Sequence, residues 1–345
     1  MVVSGLDEQM SSNNQWSEIE LNIYGFKINL RTALASFAIR QEFAYFRSFN
    51  QFADLIIEQF PLKQSPQTNK GLKIGKSRMC TVFQTSWKER SYVYQQSSGS
   101  IIAMAKFNSQ NKKINIYTDN EDLFFEITFM MILSLSGEFL EKNKIMRLHA
   151  LSFTKNEKTF CLWGKRKAGK SSLAQKLIDQ DSIKFFSDEV SLYDLNSQKI
   201  LPFPIRIALE NPPDTSTQLL NLRVPRREYL DQKYMCDVPE NRVSTPAHLN
   251  QFILLEERKY KNNISTLNLK EKTVFLFHLL LGTGLIQMWE YLVRPDNLFS
   301  LAQILCFRFQ LYLHLQKKEF VVWKRAFDFS ENWIFFQKHL LERPK

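Results

Sequence analysis

Apolar and polar positions alternate through ELNIYGFKINLRT on either side of Gly25. That two-residue period belongs to a half-buried strand, and the glycine predicts a short hairpin or a bulge. TVFQTSW, SYVYQQ, SIIAMAKFN and KKINIYT repeat the pattern between polar turns, so the stretch up to residue 120 predicts a mostly antiparallel sheet. Within it, SFNQFADLIIEQF spaces its apolar residues as a helix does. Asp119, Asn120 and Glu121 then precede the apolar run LFFEITFMMILSLSGEFL, and Lys142 and Lys144 follow it, the charge order that a helix dipole favours. Glu126 at one end and Gly137 and Glu138 at the other leave too little uninterrupted apolar chain for about 30 Å of hydrocarbon. The run therefore predicts a buried helix joining two modules.

From Met146 the pattern changes to strands interleaved with helices, the mark of an α/β core. IMRLHALSF and TFCLWG read as strands, SSLAQKLIDQ as an amphipathic helix, and IKFFSDEVSLYDL, KILPFPIRIALE and QFILLEER as further strands. EKTVFLFHLLLGTGLIQMWEYLV reads as a helix, RFQLYLHLQ as a strand, and KKEFVVWKRAFDFSENWIFFQKHLLE as helical material. Between Asn211 and Ala247 five prolines and mixed charges predict a long irregular excursion, a place where function often resides. The resulting division is a flexible start over 1–20, an N-terminal α+β module over 21–144 and an α/β domain over 145–345.

Composition adds three constraints. With 44% hydrophobic, 13% aromatic and 23% charged residues, and only 10 Gly and 11 Pro in 345, the chain is globular rather than collagen-like or broadly disordered. Forty-six Lys and Arg against 35 Asp and Glu give a net charge of +11, which suits partners bearing phosphate or acidic groups. The basic residues are dispersed, and no zinc-finger, bZIP or RNP signature accompanies them, which argues against nucleic acid as the partner. Cys80, Cys161, Cys236 and Cys306 form no CxxC pair, and no basic segment leads into an apolar core at the start of the chain, so a reducing cytoplasm and no membrane are expected.

The chemistry concentrates at Gly164-Lys165-Arg166-Lys167-Ala168-Gly169-Lys170-Ser171, a complete GxxxxGK[ST] pattern between an expected strand and an expected helix. In that setting the loop amides and the helix N-terminus meet a phosphate chain. Gly164 and Gly169 allow the tight path, Lys170 reaches the outer phosphates, and the Ser171 hydroxyl, with Ser172 beside it, lies where Mg²⁺ is ligated. Lys165, Arg166 and Lys167 add positive charge to the same loop. Farther on, Asp188 and Glu189 stand at the end of the apolar run IKFF. Neighbours on an extended chain point to opposite sides, so one carboxylate can hold a metal while the other accepts the proton of an attacking alcohol. His149, one segment upstream, and Arg206, in PFPIRIALE, are further candidates for the site. His248, His278, His314 and His339 have no metal-ligand spacing.

The order RLHALSF, GKRKAGKSS, FFSDEVSLYD, PFPIRIAL resembles the catalytic domain of the HPr kinase/phosphorylase superfamily, including its relatives in bacterial peptide-biosynthesis clusters. The resemblance covers about residues 145–210. It implies a P-loop α/β core similar to HPr kinase and phosphoenolpyruvate carboxykinase. It also implies a Mg²⁺-dependent kinase that uses ATP, another nucleotide or pyrophosphate, with the acceptor hydroxyl on a peptide or protein serine or on a small alcohol. His149 then corresponds to the family histidine, 164–171 to the nucleotide loop, Asp188 to the general base, and Glu189 to a second aspartate near the metal. The rival reading is a nucleotide-binding regulatory or interaction protein without catalysis; a homo-oligomer is compatible with both.

Overall fold

The computed structural model describes residues 16–34, 37–49, 52–66, 71–76, 80–164, 168–178, 180–209, 222–223, 234–256, 261–277, 295–318, 320–326 and 328–341. They belong to two compact units: 1–40 with 47–127, and 41–46 with 128–345. The expected boundary near 144 thus falls instead inside the long helix, between Ile127 and Thr128.

The first unit is built on an eight-stranded sheet. Its strands are β1 (Ser17–Ile23), β2 (Phe26–Thr32), β3 (Leu55–Phe60), β4 (Leu72–Lys76), β5 (Cys80–Ser86), β6 (Glu89–Gln95), β7 (Ile101–Asn108) and β8 (Lys113–Tyr117). They lie in the order β1-β2-β3-β8-β7-β6-β5-β4. Tyr24 and Gly25 both take positive φ, 50° and 94°, which closes the predicted β1–β2 hairpin with a turn whose twist matches the strands. β1 already starts at Ser17, inside the polar start expected to be flexible. A second departure concerns LIIEQF, expected as helix and found as β3. It pairs in parallel with both β2 and β8, and inside a sheet the alternating burial of Leu55, Ile57 and Gln59 decides between two readings that a short apolar run leaves open. Elsewhere the sheet is antiparallel, as expected.

After α1 (Phe37–Glu42), which precedes β3, the next helix is α2 (Glu121–Lys142), mostly buried as expected. Its N-terminus is capped by Asn120, whose Oδ1 accepts the Leu123 N–H at 2.9 Å. In the second unit it is followed by β9 (Ile145–Leu148), β10 (Ala150–Lys155), β11 (Lys158–Gly164), α3 (Lys170–Ile178), β12 (Ile183–Ser187), β13 (Ser191–Asp194), β14 (Lys199–Leu201) and β15 (Ile207–Leu209). The expected strand IMRLHALSF is broken at His149 into β9 and β10, which enter different sheets. Most of the proline-rich excursion lies outside the described residues, and its described parts include β16 (Leu222–Arg223), β17 (Tyr234–Cys236) and β18 (Ala247–His248). Next come β19 (Gln251–Glu256), β20 (Asn263–Thr266), α4 (Leu269–Phe277), α5 (Leu298–Gln316), β21 (Phe320–Lys324) and α6 (Phe329–Phe336).

The central sheet of this unit has the order β12-β10-β11-β19-β21-β20, flanked by smaller sheets β18-β14-β13-β9 and β15-β17-β16. β11, β19 and β21 are parallel, and their apolar runs are buried on both faces. Phe160 and Leu162, Ile253 and Leu255, and Val321 and Trp323 pack on the side of α3 and α6. The alternate residues Cys161, Phe252 and Leu254, and Phe320 and Val322 pack with α4 and α5. RFQLYLHLQ, expected as a strand, is the end of helix α5: Ile304, Phe307, Arg308, Leu311 and Leu315 are its buried residues, at three- and four-residue spacing. FVVWK, expected as helix, is β21. Phe299 and Phe309 of α5 are exposed, as are Leu305 and Leu313.

Buried charge ties three of these elements together. Glu141 of α2 is fully buried and accepts from Arg308 of α5, with Nε to Oε2 at 2.8 Å and Nη2 to Oε1 at 2.9 Å. Arg147 of β9 donates to the same carboxylate, Nη2 to Oε1 at 3.1 Å, and its Nη1 reaches the Leu133 carbonyl at 2.8 Å. A methyl group on Gly137 would stand 1.9 Å from the Arg147 guanidinium carbon, so only glycine lets that side chain cross the helix. Removing Glu141 leaves two arginines without their shared carboxylate. Glu141→Ala is therefore expected to destabilise the second unit by about 3–5 kcal/mol, read as a lowered urea midpoint.

Candidate functional site

Directions along the central sheet determine what can meet. β10 runs antiparallel to both β11 and β12, so β12 points the same way as β11, β19 and β21. The carboxyl ends of four strands therefore emerge along one edge, the edge at which open α/β sheets present ligand sites. In the order of the sheet, those ends are Ser187, Gly164, Glu256 and Lys324.

The GKRKAGKS segment leaves β11 at Gly164 and returns as α3 at Lys170, the strand–loop–helix expected. Two glycines are required there for different reasons. A methyl group on Gly164 would lie 2.8 Å from the Ala168 Cβ and 2.9 Å from the Leu255 Cβ, so the loop's base is pressed against β19. Gly169 has φ 80°, a conformation that side chains disfavour. Ala168 is buried in the core below, and Lys165, Arg166 and Lys167 lie outside the described residues. Lys170 is only 7% exposed and folds its Nζ back to donate to the Gly164 carbonyl at 2.7 Å. Ser171 is half-buried at the start of α3, and Ser172 is exposed.

Asp188 follows Ser187 at the end of β12, two strands from β11 or about 10 Å along the sheet. The acidic pair sits in a tight turn rather than within a strand: Ser187 Oγ accepts the Val190 N–H at 3.0 Å. Asp188 is 3% exposed, and Glu189 faces solvent. His149 is half-buried and directly precedes Ala150, which pairs with Trp163. It thus stands just before the strand adjacent to β11, near the start of the loop. Behind this edge Ser191 Oγ donates to the Ala150 carbonyl at 2.8 Å and lies 2.7 Å from Ser152 Oγ, binding β13 to β10. The Cys161 thiol, fully buried beside Ser191, is pushed far above its usual range by burial. It is therefore not a nucleophile at neutral pH.

Arg206 has other partners. It is buried, its Nη1 donates to Glu42 Oε2 at 3.2 Å, its backbone N–H to Glu42 Oε1 at 3.2 Å, and its guanidinium lies 4.2 Å from the Phe129 ring centroid. These contacts give the side chain a packing role. Of the other histidines, His248 is exposed on β18 and His278 lies outside the described residues. His339 packs against Phe335 with the two rings tilted, and His314 Nε2 is 2.9 Å from the Tyr193 hydroxyl. Burial, then Lys318 and Lys317, lower the His314 pKa, while burial and then Asp194 push Tyr193 up to about 12.

One cation at this edge has no counterpart among the expected residues. Arg325 directly follows β21, also two strands from β11 but on the side away from Asp188. It is 5% exposed, and its Nη1 would lie 2.6 Å from a methyl group on Gly169. The signal was present in VVWKRA, but reading that stretch as helix removed its meaning.

The donor set fits a magnesium-bound polyphosphate. Among the described residues no three His, Cys, Asp or Glu side chains form a cage sufficient by themselves. Mg²⁺ does not need one, since it is usually held by one or two carboxylates together with substrate phosphates and water. No protein-family model matches this chain, and no curated protein matches it in sequence.

Two outcomes follow from the geometry. Gly169→Ala combines a disfavoured φ with the Arg325 contact and is expected to cost about 1–3 kcal/mol in urea unfolding. The His314 pKa is lowered in the fold, so the unfolded chain takes up its proton first as pH falls through the usual 6.5, and stability drops there. Urea midpoints from pH 7.5 to 5.5 are expected to show that drop, with a shallower slope in His314→Gln.

Proposed function

We propose that the second unit is a P-loop phosphotransferase domain of the HPr-kinase-like kind, which moves a phosphoryl group from a nucleotide to a hydroxyl. The observation that carries this reading is the convergence at one sheet edge of the Gly164–Ser171 loop, a buried lysine folded onto that loop, and a buried aspartate two strands away. A buried ammonium that donates to a backbone carbonyl at the base of the loop stands where a phosphate oxygen would meet it in a charge-assisted hydrogen bond.

Each group then has a task that its position allows. Lys170 swings from the Gly164 carbonyl to an outer phosphate oxygen, and the amides at the start of α3 face the same anion. Mg²⁺ bound there supplies positive charge across the phosphate oxygens. Ser171, and Glu189 from the solvent side, complete an oxygen ligand set. Asp188 accepts the proton of the acceptor hydroxyl as its oxygen bonds to the γ-phosphorus and the bond to the β–γ bridging oxygen breaks, leaving the nucleoside diphosphate. His149, beside the loop, orients the acceptor. The exposed approach past Glu189 suits a peptide or protein serine or a small alcohol.

Lys170→Ala is expected to weaken binding of ATP or pyrophosphate with Mg²⁺ by about 10- to 100-fold in calorimetric titration. Asp188→Asn is expected to retain that binding and lose about 10²- to 10⁴-fold in phosphoryl transfer. Nucleotide binding with no transfer to serine peptides or small alcohols would favour the non-catalytic reading. Unchanged binding in the lysine variant would remove the loop from the mechanism altogether.

A further inference from the structure

We propose that Arg325 is a second phosphate-binding cation of this site, a guanidinium carried by β21 onto the loop to grip a polyphosphate opposite Lys170. The proposal rests on the loop being a phosphate site, and it adds a residue that neither the loop pattern nor the Asp188–Glu189 pair contains.

Three observations carry it. The first is placement: β21 is parallel to β19, which is parallel to β11, and Leu255 is level both with Gly164 and with Trp323. Arg325 therefore leaves the sheet just beyond the level at which the loop begins, on the same edge. The second is contact. Its Nη1 lies against the α-carbon of Gly169, the residue immediately before Lys170, where any side chain would collide with it. Two buried cations are thus brought to consecutive residues of one short loop.

The third is rigidity. The backbone just after Arg325, and the indole two residues before it, are fastened by side-chain amides. Asn262 Oδ1 accepts from Trp323 Nε1 at 3.0 Å and from the Ala326 N–H at 3.2 Å. Asn332 Oδ1 accepts from the Ala326 N–H at 2.8 Å, and its Nδ2 donates to the Ala326 carbonyl at 3.0 Å. Asn332 is buried, and Asp328 caps its helix by accepting from the Ser330 and Glu331 N–H groups. A surface arginine needs no such bracing. A guanidinium that must present its planar fork to phosphate oxygens gains from it, because less side-chain freedom is lost on binding.

The ligand class follows from the spacing. Arg325 arrives beside Gly169 while Lys170 points back across the loop to Gly164, so the two cations engage a chain of at least two phosphates better than a single one. Pyrophosphate is the minimal probe, and a nucleoside di- or triphosphate is the larger one.

The experiment is titration of pyrophosphate, ATP and orthophosphate, each with Mg²⁺, into the full chain and its Arg325→Gln and Arg325→Lys variants. Lys170→Ala serves as the control for the loop, and thermal unfolding checks that every variant is folded. Arg325→Gln, close in shape and neutral, is expected to lose about 10- to 100-fold in affinity for pyrophosphate and ATP. Its loss for orthophosphate is expected to be much smaller. Its affinity is also expected to depend less steeply on salt, because one cation no longer meets the anion. Arg325→Lys is expected to recover part of the loss, since it restores the charge without the fork. A purely structural arginine would lower the unfolding temperature without changing the preference for polyphosphate over orthophosphate or the salt slope. Unaltered affinity in Arg325→Gln, with Lys170→Ala defective, overturns the role of Arg325 and leaves the loop intact. Absence of pyrophosphate and ATP binding in the unmodified chain overturns both.

Discussion

A strand cannot reach a parallel neighbour through a tight turn; the chain must travel back along the sheet before it can run in the same direction again. In the second unit β11, β19 and β21 are related in this way, and β12 shares their direction through the intervening β10. Each return delivers another carboxyl end to the same edge. The loop after Gly164, the turn at Asp188 and the guanidinium of Arg325 come from sequence positions far apart, and the common direction of these strands makes them neighbours. The candidate site is in this sense a consequence of hydrogen-bond direction in one sheet.

The edge must also be held still. Parallel strands covered on both faces provide an apolar support, with Leu162, Ile253 and Val321 on one side and Cys161, Phe252 and Val322 on the other. Several of the polar groups buried around that support have partners. Glu141 receives two arginines, one of them in β9, and β9 leads through His149 into β10. Ser152 and Ser191 join β10 to β13, and Asn262 and Asn332 fasten the segment around Arg325. These contacts touch no ligand. They restrict the groups that would, and binding energy is then not used to order them.

Charge across the edge is asymmetric. β11 stands at its centre, with the carboxylate turn two strands away on one side and the guanidinium two strands away on the other. In the proposed reaction an acceptor that gives up a proton would be served from the acidic side, and a phosphate chain would be neutralised from the basic side. The proposed chemistry requires that separation, because a carboxylate placed directly on the phosphates would repel them.

The amino-acid sequence by itself determined the elements whose patterns are local. The hairpin at Gly25 and the strand–loop–helix around Gly164 to Ser171 depend on neighbours within a few residues, and they are present as read. Asp188 and Glu189 were legible as a candidate pair, although a turn stands where an extended strand was expected. Short apolar runs were not. LIIEQF, RFQLYLHLQ and FVVWK each satisfy both a helical and an extended pattern, and their assignment depends on whether a sheet edge or a helical groove lies beside them. Only the tertiary structure supplies that neighbour. It also decided the partners of long charged side chains: Arg206 meets Glu42, and Arg325 meets Gly169. A guanidinium reaches several ångströms from its own backbone, and what it finds there is set by the fold rather than by the residues next to it in the chain.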